Sequence, residues 1–464
     1  MTSQRKKFSA PCGFLLLLGW LCAPLACANT DPLIDFLSVP GSAGLGLVFR
    51  TERSPYEGAG FRHDFVPTYL YEGKRFYLHA SRAGIKLLDD VGPHRFDLIL
   101  DYRFEGFPYD KIPQSLAGMR NRSPTLDFGA AYRYRTNWGD LKADLLHDAY
   151  NLNNGSELRL GYSYDWHSGR VHLRPAITVS ARSAQLNNYY YGVAADEATA
   201  ARPAYNPGAG IDTWVGVYGM YDLTDKWRLL AALGVSTISA TVRASPIVRD
   251  ERIQPAAFVG VAYDFGSYRD PHPDGNPLYV KLLYGKATDC NFLPTVTLRC
   301  GSLSTQDSTR VAGIELGKPF MEQVHGWPLD FTGYAGLLHH DENGLQRDVW
   351  QLNLYMKASY YGFPWGDRVK TRLGLGVGVS FTDHILFVEQ RDQVRRGRNT
   401  SKILNYLDPT IDVSVGDIAG SRSLKETYFG FGVSHRSGIF GTSQLLGNAD
   451  GGSNYIYSYI ESKF

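Results

Sequence analysis

Apolar and small or polar residues alternate one for one along much of this chain. Leu373, Leu375, Val377, Val379 and Phe381 are separated by Gly374, Gly376, Gly378 and Ser380. Trp350, Leu352, Leu354, Met356 and Ala358 alternate with Gln351, Asn353, Tyr355, Lys357 and Ser359. The same period runs through Trp227, Leu229, Ala231, Leu233 and Val235, and through Val259, Val261, Tyr263 and Phe265. A period of two gives a strand one apolar face and one small or polar face. Each run is about ten residues long, the length of a tilted strand crossing a bilayer. Asp-Gly, Asn-Gly and Gly-Asp turn signals separate the runs. The pattern predicts an all-β chain of antiparallel strands.

A soluble sandwich alternates in the same way, but three features favour a membrane barrel. Arg5, Lys6 and Lys7, an apolar run from Phe14 to Ala26 and an Ala26-Cys27-Ala28 cleavage site read as a signal peptide over residues 1–28. That run is too short to span a bilayer as a helix. Lipidation at Cys27 is the alternative, against which Pro24 stands where such sites carry Leu. Aromatic residues crowd the strand ends, as interfacial girdles require. The chain ends in Phe464 after Ser-Tyr-Ile-Glu-Ser-Lys, similar to the terminal strand signal of bacterial outer-membrane proteins. Beyond residue 28 no stretch of about 18 apolar residues occurs, so spanning helices are not expected. The expected fold is a transmembrane antiparallel up-and-down β-barrel of the outer membrane, closed because an open edge cannot exist in lipid.

Residues 255–266 read as a second terminal strand, with Phe265 in the place of Phe464, and a Pro-rich stretch follows over 267–277. The expected organisation is therefore a barrel of ten to twelve strands over 29–266 and one of eight strands over 278–464. The eight are placed at 278–287, 309–318, 329–339, 347–360, 369–382, 402–416, 425–437 and 453–464. One merged barrel of about 18–20 strands is the rival. Composition fits either. The 49 Gly suit small lumen positions and turns, and the 30 Tyr suit girdles and lumen walls. Mean hydropathy of −0.25 is low only because half of each strand faces inward. Lys and Arg (48) nearly balance Asp and Glu (46), which with export excludes a nucleic-acid partner. Once the signal is removed, Cys290 and Cys300 remain, ten apart in an oxidising compartment, and suit a loop disulfide; two free thiols are the alternative.

The block YYYGVAADEATAARPAYNPGAG at 189–210, with YDLTDKW between the strand pair beginning at Thr213 and Trp227, SPIV from Ser245, SPYEG at 54–58 and Gly-Leu-Gly-Leu at 44–47, resembles the MltA-interacting protein family (MipA/OmpV) over about residues 40–266. The resemblance implies an outer-membrane barrel. It also implies a scaffold role towards a periplasmic murein hydrolase, or a channel or adhesin role, with no residues assigned. The alternative for the 189–210 block is a structured extracellular loop.

The residues that could do chemistry lie near the end. Phe429, Phe431, Val433, His435 and Ser437 share one face of the penultimate strand, and the apolar members place that face towards lipid. Polar groups there are costly and call for a function. A serine nucleophile needs an imidazole to take its proton and a third group to orient the ring. His435 and Ser437 would stand about 6–7 Å apart along the strand, with Asn454, or Asp450 in the loop before it, as the orienting group. This arrangement resembles the lipid A 3-O-deacylase (PagL-type) family, in which the His and Ser are catalytic. The chain departs from that family at Gly438, where Asn is usual, and in lacking a Glu near Asn454; Glu461 faces the lumen by alternation. Arg391, Arg395, Arg396 and Arg398 form a basic extracellular loop that could hold lipid A phosphates, or simply be solvated. The partners expected are outer-membrane lipid and lipopolysaccharide. A passive pore is the remaining reading. No cofactor and no metal site are expected: the adjacent His339, His340, Asp341 and Glu342 would point apart, and the Gly374-x-Gly376-x-Gly378 run lies in a strand.

Overall fold

The computed structural model describes residues 42–464 apart from 74, 80, 89–91, 108–112, 268–276, 301–306, 439–448 and 450. The expected signal peptide and most of the stretch 267–277 lie outside the described residues. Thirteen strands come first: β1 (Ser42–Arg53), β2 (Phe61–Glu72), β3 (Phe76–His79), β4 (Arg82–Lys86), β5 (His94–Arg103), β6 (Thr125–Thr136), β7 (Gly139–Asp148), β8 (Ser156–Ser163), β9 (Trp166–Ser168), β10 (Val171–Arg182), β11 (Gly210–Asp222), β12 (Trp227–Thr237) and β13 (Ile253–Ser267). All pair antiparallel in sequence order, and β13 pairs back onto β1. β8 and β9 both pair with β10 and occupy one position in the wall, so the circumference has 12 strands. β14 (Tyr279–Ala287), β15 (Arg310–Met321), β16 (Leu329–Asp341), β17 (Val349–Tyr360), β18 (Thr371–Thr382), β19 (Ile403–Ser414), β20 (Thr427–Ser437) and β21 (Gly452–Lys463) close a second, eight-stranded barrel through the β14–β21 pairing. A merged barrel is thereby excluded. Each sheet satisfies its own edges, as lipid demands.

The alternation sorts the side chains as expected. Leu373, Leu375, Trp350 and Leu233 are exposed on the outer walls, whereas Tyr355, Tyr406, Tyr457 and Tyr459 are buried in the second lumen. In the first barrel Trp214 points inward and stacks on Tyr218. It fits because Gly216 and Gly234 flank it: a Cβ at either would fall within 2.5 Å of the indole. Aromatic contacts join the two barrels near one rim, Tyr71 with Phe320 at 4.9 Å and Phe265 with Phe331 at 4.8 Å.

Both barrels begin and end at this same rim. In the first, β6 and β7 are joined there by Asn137 and Trp138 alone, and β9 and β10 by Gly169 and Arg170. Short turns mark the periplasmic side. The opposite, extracellular rim of the first barrel carries the 189–210 block. It folds as a helix (Ala184–Tyr191) and a bridge between Val193 and Tyr205. Tyr190, Tyr191 and Val193 pack there with Tyr56, Ile247 and Val248. Glu197 ties it down through Arg122 at 2.6 Å and the Arg120 amide at 2.8 Å. Burial works to raise that carboxyl, but these donors outweigh it and hold it at about 2. This is the structured loop of the alternative reading.

Candidate functional site

On β20 the register decides everything. Phe429 and Phe431 open to lipid, while Tyr428, Ser434 and Arg436 enter the lumen. His435 and Ser437 continue the outer face, and β21 pairs in a register that sets Asn454 directly opposite His435. Their side chains meet: His435 Nδ1 lies 2.6 Å from Asn454 Oδ1. The Asn454 amide nitrogen donates to the Cys290 carbonyl at 2.9 Å, which leaves its oxygen as the acceptor facing the imidazole. His435 therefore donates from Nδ1, and its Nε2 carries the lone pair. Ser437 is half-buried on the same face and pairs in register with Gly452. It makes no hydrogen bond with His435 among the described residues. Asp450 lies outside the described residues.

His435 is not open to lipid as the alternation implied. It is 9% exposed, because Phe292 of the short helix Phe292–Val296 stacks on its ring at 4.2 Å with an interplanar angle of 21°. That helix stands in the loop closed by the Cys290–Cys300 disulfide.

The basic segment is a helix, Phe387–Arg396, rather than an open loop. Its run of Gln, Arg, Asp and Val continues a helix without a breaker until Gly397, which ends it in the left-handed region at φ 62°. The helix closes the extracellular mouth of the second barrel. Its Glu389 is buried against Arg436, at 2.9 and 3.1 Å, and accepts from Ser453 at 2.7 Å. Arg436 also donates to Ser380 at 2.7 Å. Burial pushes the Glu389 carboxyl up against the pull of Arg436. Burial likewise pushes nearby Glu342 up to about 7, although the Phe387 amide points towards it. Arg391 is surrounded by Asp289, Asp307 and Asp392. Arg395 pairs with Asp392 at 3.0 Å and stays exposed, as do Arg396 and Arg398. His339 points outward to Asp348 and Trp350, and His340 inward to Gln351 at 2.9 Å.

Below this mouth the second lumen is filled. Lys281 joins Glu315 at 2.9 Å and Asp408 at 3.3 Å, and Arg372 joins Asp412 and Glu461. The first lumen carries a continuous ladder. Asp144, Arg82, Asp101, Arg159, Glu157, Arg103, Glu105, Arg182 and Asp212 follow one another at 2.6–3.6 Å. Alternation places these residues inward; Arg82–Asp101 and Arg159–Glu157 are neighbours across or along a strand, but the Asp144–Arg82, Arg159–Asp101, Arg103–Glu157 and Arg182–Glu105 links join elements that are not adjacent in the wall and leave no local signal.

Residues 45–265 match the family model described as MltA-interacting protein MipA. The first barrel belongs to the MipA family. Outer membrane protein Omp26La of Vibrio anguillarum is 32% identical over 161 residues, 34% of this chain and 62% of that protein. Outer membrane protein OmpV of Vibrio cholerae is 31% identical over the same lengths and shares. The chain thus spans less than two thirds of either. The Escherichia coli protein named MltA-interacting protein is 25% identical over 228 residues, 48% of this chain and 88% of that one. Among solved structures, the outer membrane channel DcaP of Acinetobacter baumannii aligns over 91% of this chain at 9% identity and a TM-score of 0.19, which carries no argument. With its two closed barrels, the chain is an outer-membrane β-barrel protein whose first barrel matches the MipA family.

Proposed function

We propose that the protein is a filled scaffold of the outer membrane and that its MipA-family barrel holds a periplasmic murein hydrolase. The observation that carries this reading is the closed ion-pair ladder across the first lumen, which opposes a passive pore. The relative named MltA-interacting protein supplies the class of partner. Purified protein in a planar bilayer is expected to stay silent, and immobilised protein to retain a purified murein hydrolase, equally with Ser437→Ala. Porin-like conductance steps without retention would sink the proposal.

One observation favours a second activity, the 2.6 Å contact between His435 and Asn454 on the outer wall. It orients the imidazole on the strand face that Ser437, two residues further on, shares by alternation. In this reading Ser437 Oγ attacks an acyl ester of lipid A and its proton passes to His435 Nε2. The ester C–O bond breaks, and the sugar hydroxyl leaves with that proton. Water then attacks the acyl-serine and gives its proton to His435; the acyl–Oγ bond breaks, His435 passes that proton to Ser437 Oγ, and the fatty acid is released. Asn454 holds the ring and tautomer, as orienting residues do in such sites. No cofactor or metal enters. Arg395, Arg396 and Arg398 at the rim suit the phosphates of lipopolysaccharide. Mass spectrometry of lipid A from expressing cells is expected to show loss of one acyl chain, reverting to background with Ser437→Ala or His435→Ala. Unchanged lipid A with well-folded wild-type protein removes the hydrolase reading and leaves the scaffold.

A further inference from the structure

On β20, exposure falls abruptly along one face. Phe429 and Phe431 are 45% and 56% exposed, but Val433 and His435 above them are 8% and 9% exposed. What covers the upper pair is the disulfide-closed segment from Cys290 to Cys300. At its root Thr288 N donates to Asn454 O, continuing the β14–β21 ladder, and Asn454 Nδ2 donates to the Cys290 carbonyl, both at 2.9 Å. It touches His435 through the Phe292 ring. Its other side is apolar and turned away from the wall: Leu293 is 71% exposed and Leu298 is 90% exposed.

These features belong together. A segment on the outside of a membrane barrel, with leucines facing away from the wall, sits among acyl chains. Lifting it exchanges protein-apolar contact for lipid-apolar contact, which the hydrophobic effect barely opposes. The disulfide makes it move as one piece. Among its contacts with the wall are the Asn454–Cys290 hydrogen bond and the Phe292–His435 stack. Below His435 the same strand face carries Val433, Phe431 and Phe429, which lead down into the lipid layer. An acyl chain following that track would bring its ester linkage to the level of His435 and Ser437.

We propose that the segment Cys290–Cys300 is a lid and that the place Phe292 occupies on His435 is the seat of an acyl chain of an outer-leaflet lipid. The proposal rests on the hydrolase reading for its chemistry, but the cover over His435 can be measured apart from it. Diethyl pyrocarbonate is applied to the protein in lipid vesicles, and modification of His435 is read by peptide mass spectrometry. His340, buried in the lumen of the same barrel, reports whether the fold is intact.

Wild type is expected to be modified slowly at His435. Phe292→Ala is expected to be modified about three- to tenfold faster, the range that one aromatic stack contributes, with His340 still protected. Release of an acyl chain from lipid A should rise in parallel. Faster modification without any release in either protein supports the lid and removes the hydrolase reading. Unchanged modification of His435 in Phe292→Ala overturns the lid whatever happens to release. Faster modification with release below wild type also overturns it, since Phe292 would then be part of the acyl seat rather than its cover.

Discussion

Replacing Arg436 by methionine is expected to destabilise the second barrel by about 3–5 kcal/mol at neutral pH, the effect of leaving one member of a buried ion pair alone. Arg436 is 1% exposed and holds Glu389 with two hydrogen bonds; without it Glu389 keeps only Ser453. Glu389 stands on the helix that closes the mouth, so the loss should loosen that helix first. The double variant Arg436→Met/Glu389→Leu should recover most of the loss, because an apolar pair of similar volume needs no desolvated charge. The deficit also has a sign in pH. Burial already raises the Glu389 carboxyl above 4.5 in the presence of Arg436, and only the Ser453 hydroxyl opposes it once Arg436 is gone. The carboxyl is then protonated in both folded and unfolded states below about pH 4.5, where the deficit should vanish, and it should grow as pH rises through the folded value. Urea unfolding in lipid vesicles, followed by tryptophan fluorescence, reads the wild type and both variants. Equal losses in the single and double variants, or a loss independent of pH, would contradict the account.

The same residues show how far the sequence speaks and where it stops. Strict alternation over Leu373 to Phe381 had only one structural solution, because a slip of one residue would turn five apolar side chains into the lumen. The eight strands of the second barrel therefore lie within a few residues of where the pattern puts them, and the first barrel takes the upper end of the ten-to-twelve range. The His435–Asn454 meeting was legible for the same reason: both lie on apolar faces of consecutive strands, so parity and height fix the pair. Phe292 was not. It belongs to a short helix in a loop of no fixed period, and its place on His435 depends on a chain reversal that only the Cys290–Cys300 pair hinted at. The ion-pair partners of Arg391 were not legible either, because Asp289 and Asp307 lie 102 and 84 residues away in sequence. A basic run reads as a free patch until the loops that meet it are known. The helix Phe387–Arg396 was in principle readable from its good helix formers, its Asp392–Arg395 spacing and Gly397, but its buried Glu389 answers to Arg436 on a distant strand.

Arg103→Met should be as damaging to the first barrel, by about 3–5 kcal/mol, and for a sharper reason. Arg103 is 3% exposed and touches three carboxylates, Asp127, Glu157 at 2.6 Å and Glu105 at 3.3 Å. Its loss does not strand them equally. Glu157 keeps Arg159 at 3.1 Å and Glu105 keeps Arg182 at 2.8 Å. Asp127 has Arg103 as its ion-pair partner among the described residues, so the uncompensated charge falls on Asp127. Adding Asp127→Asn to Arg103→Met should therefore restore much of the stability, whereas Glu157→Gln in its place should restore little. The rim pair Arg53–Glu251, with side chains 25% and 43% exposed, provides the contrast. In water-screened surroundings Glu251→Gln is expected to lose little. Urea titration of the vesicle-embedded variants gives the ranking directly. If Glu157→Gln rescues Arg103→Met as well as Asp127→Asn does, the ladder shares its charge as one delocalised network and no carboxylate in it is specially dependent on Arg103. If the rim variant loses as much as the hub variant, burial is not what makes these pairs matter, and the closed lumen of the first barrel needs another explanation.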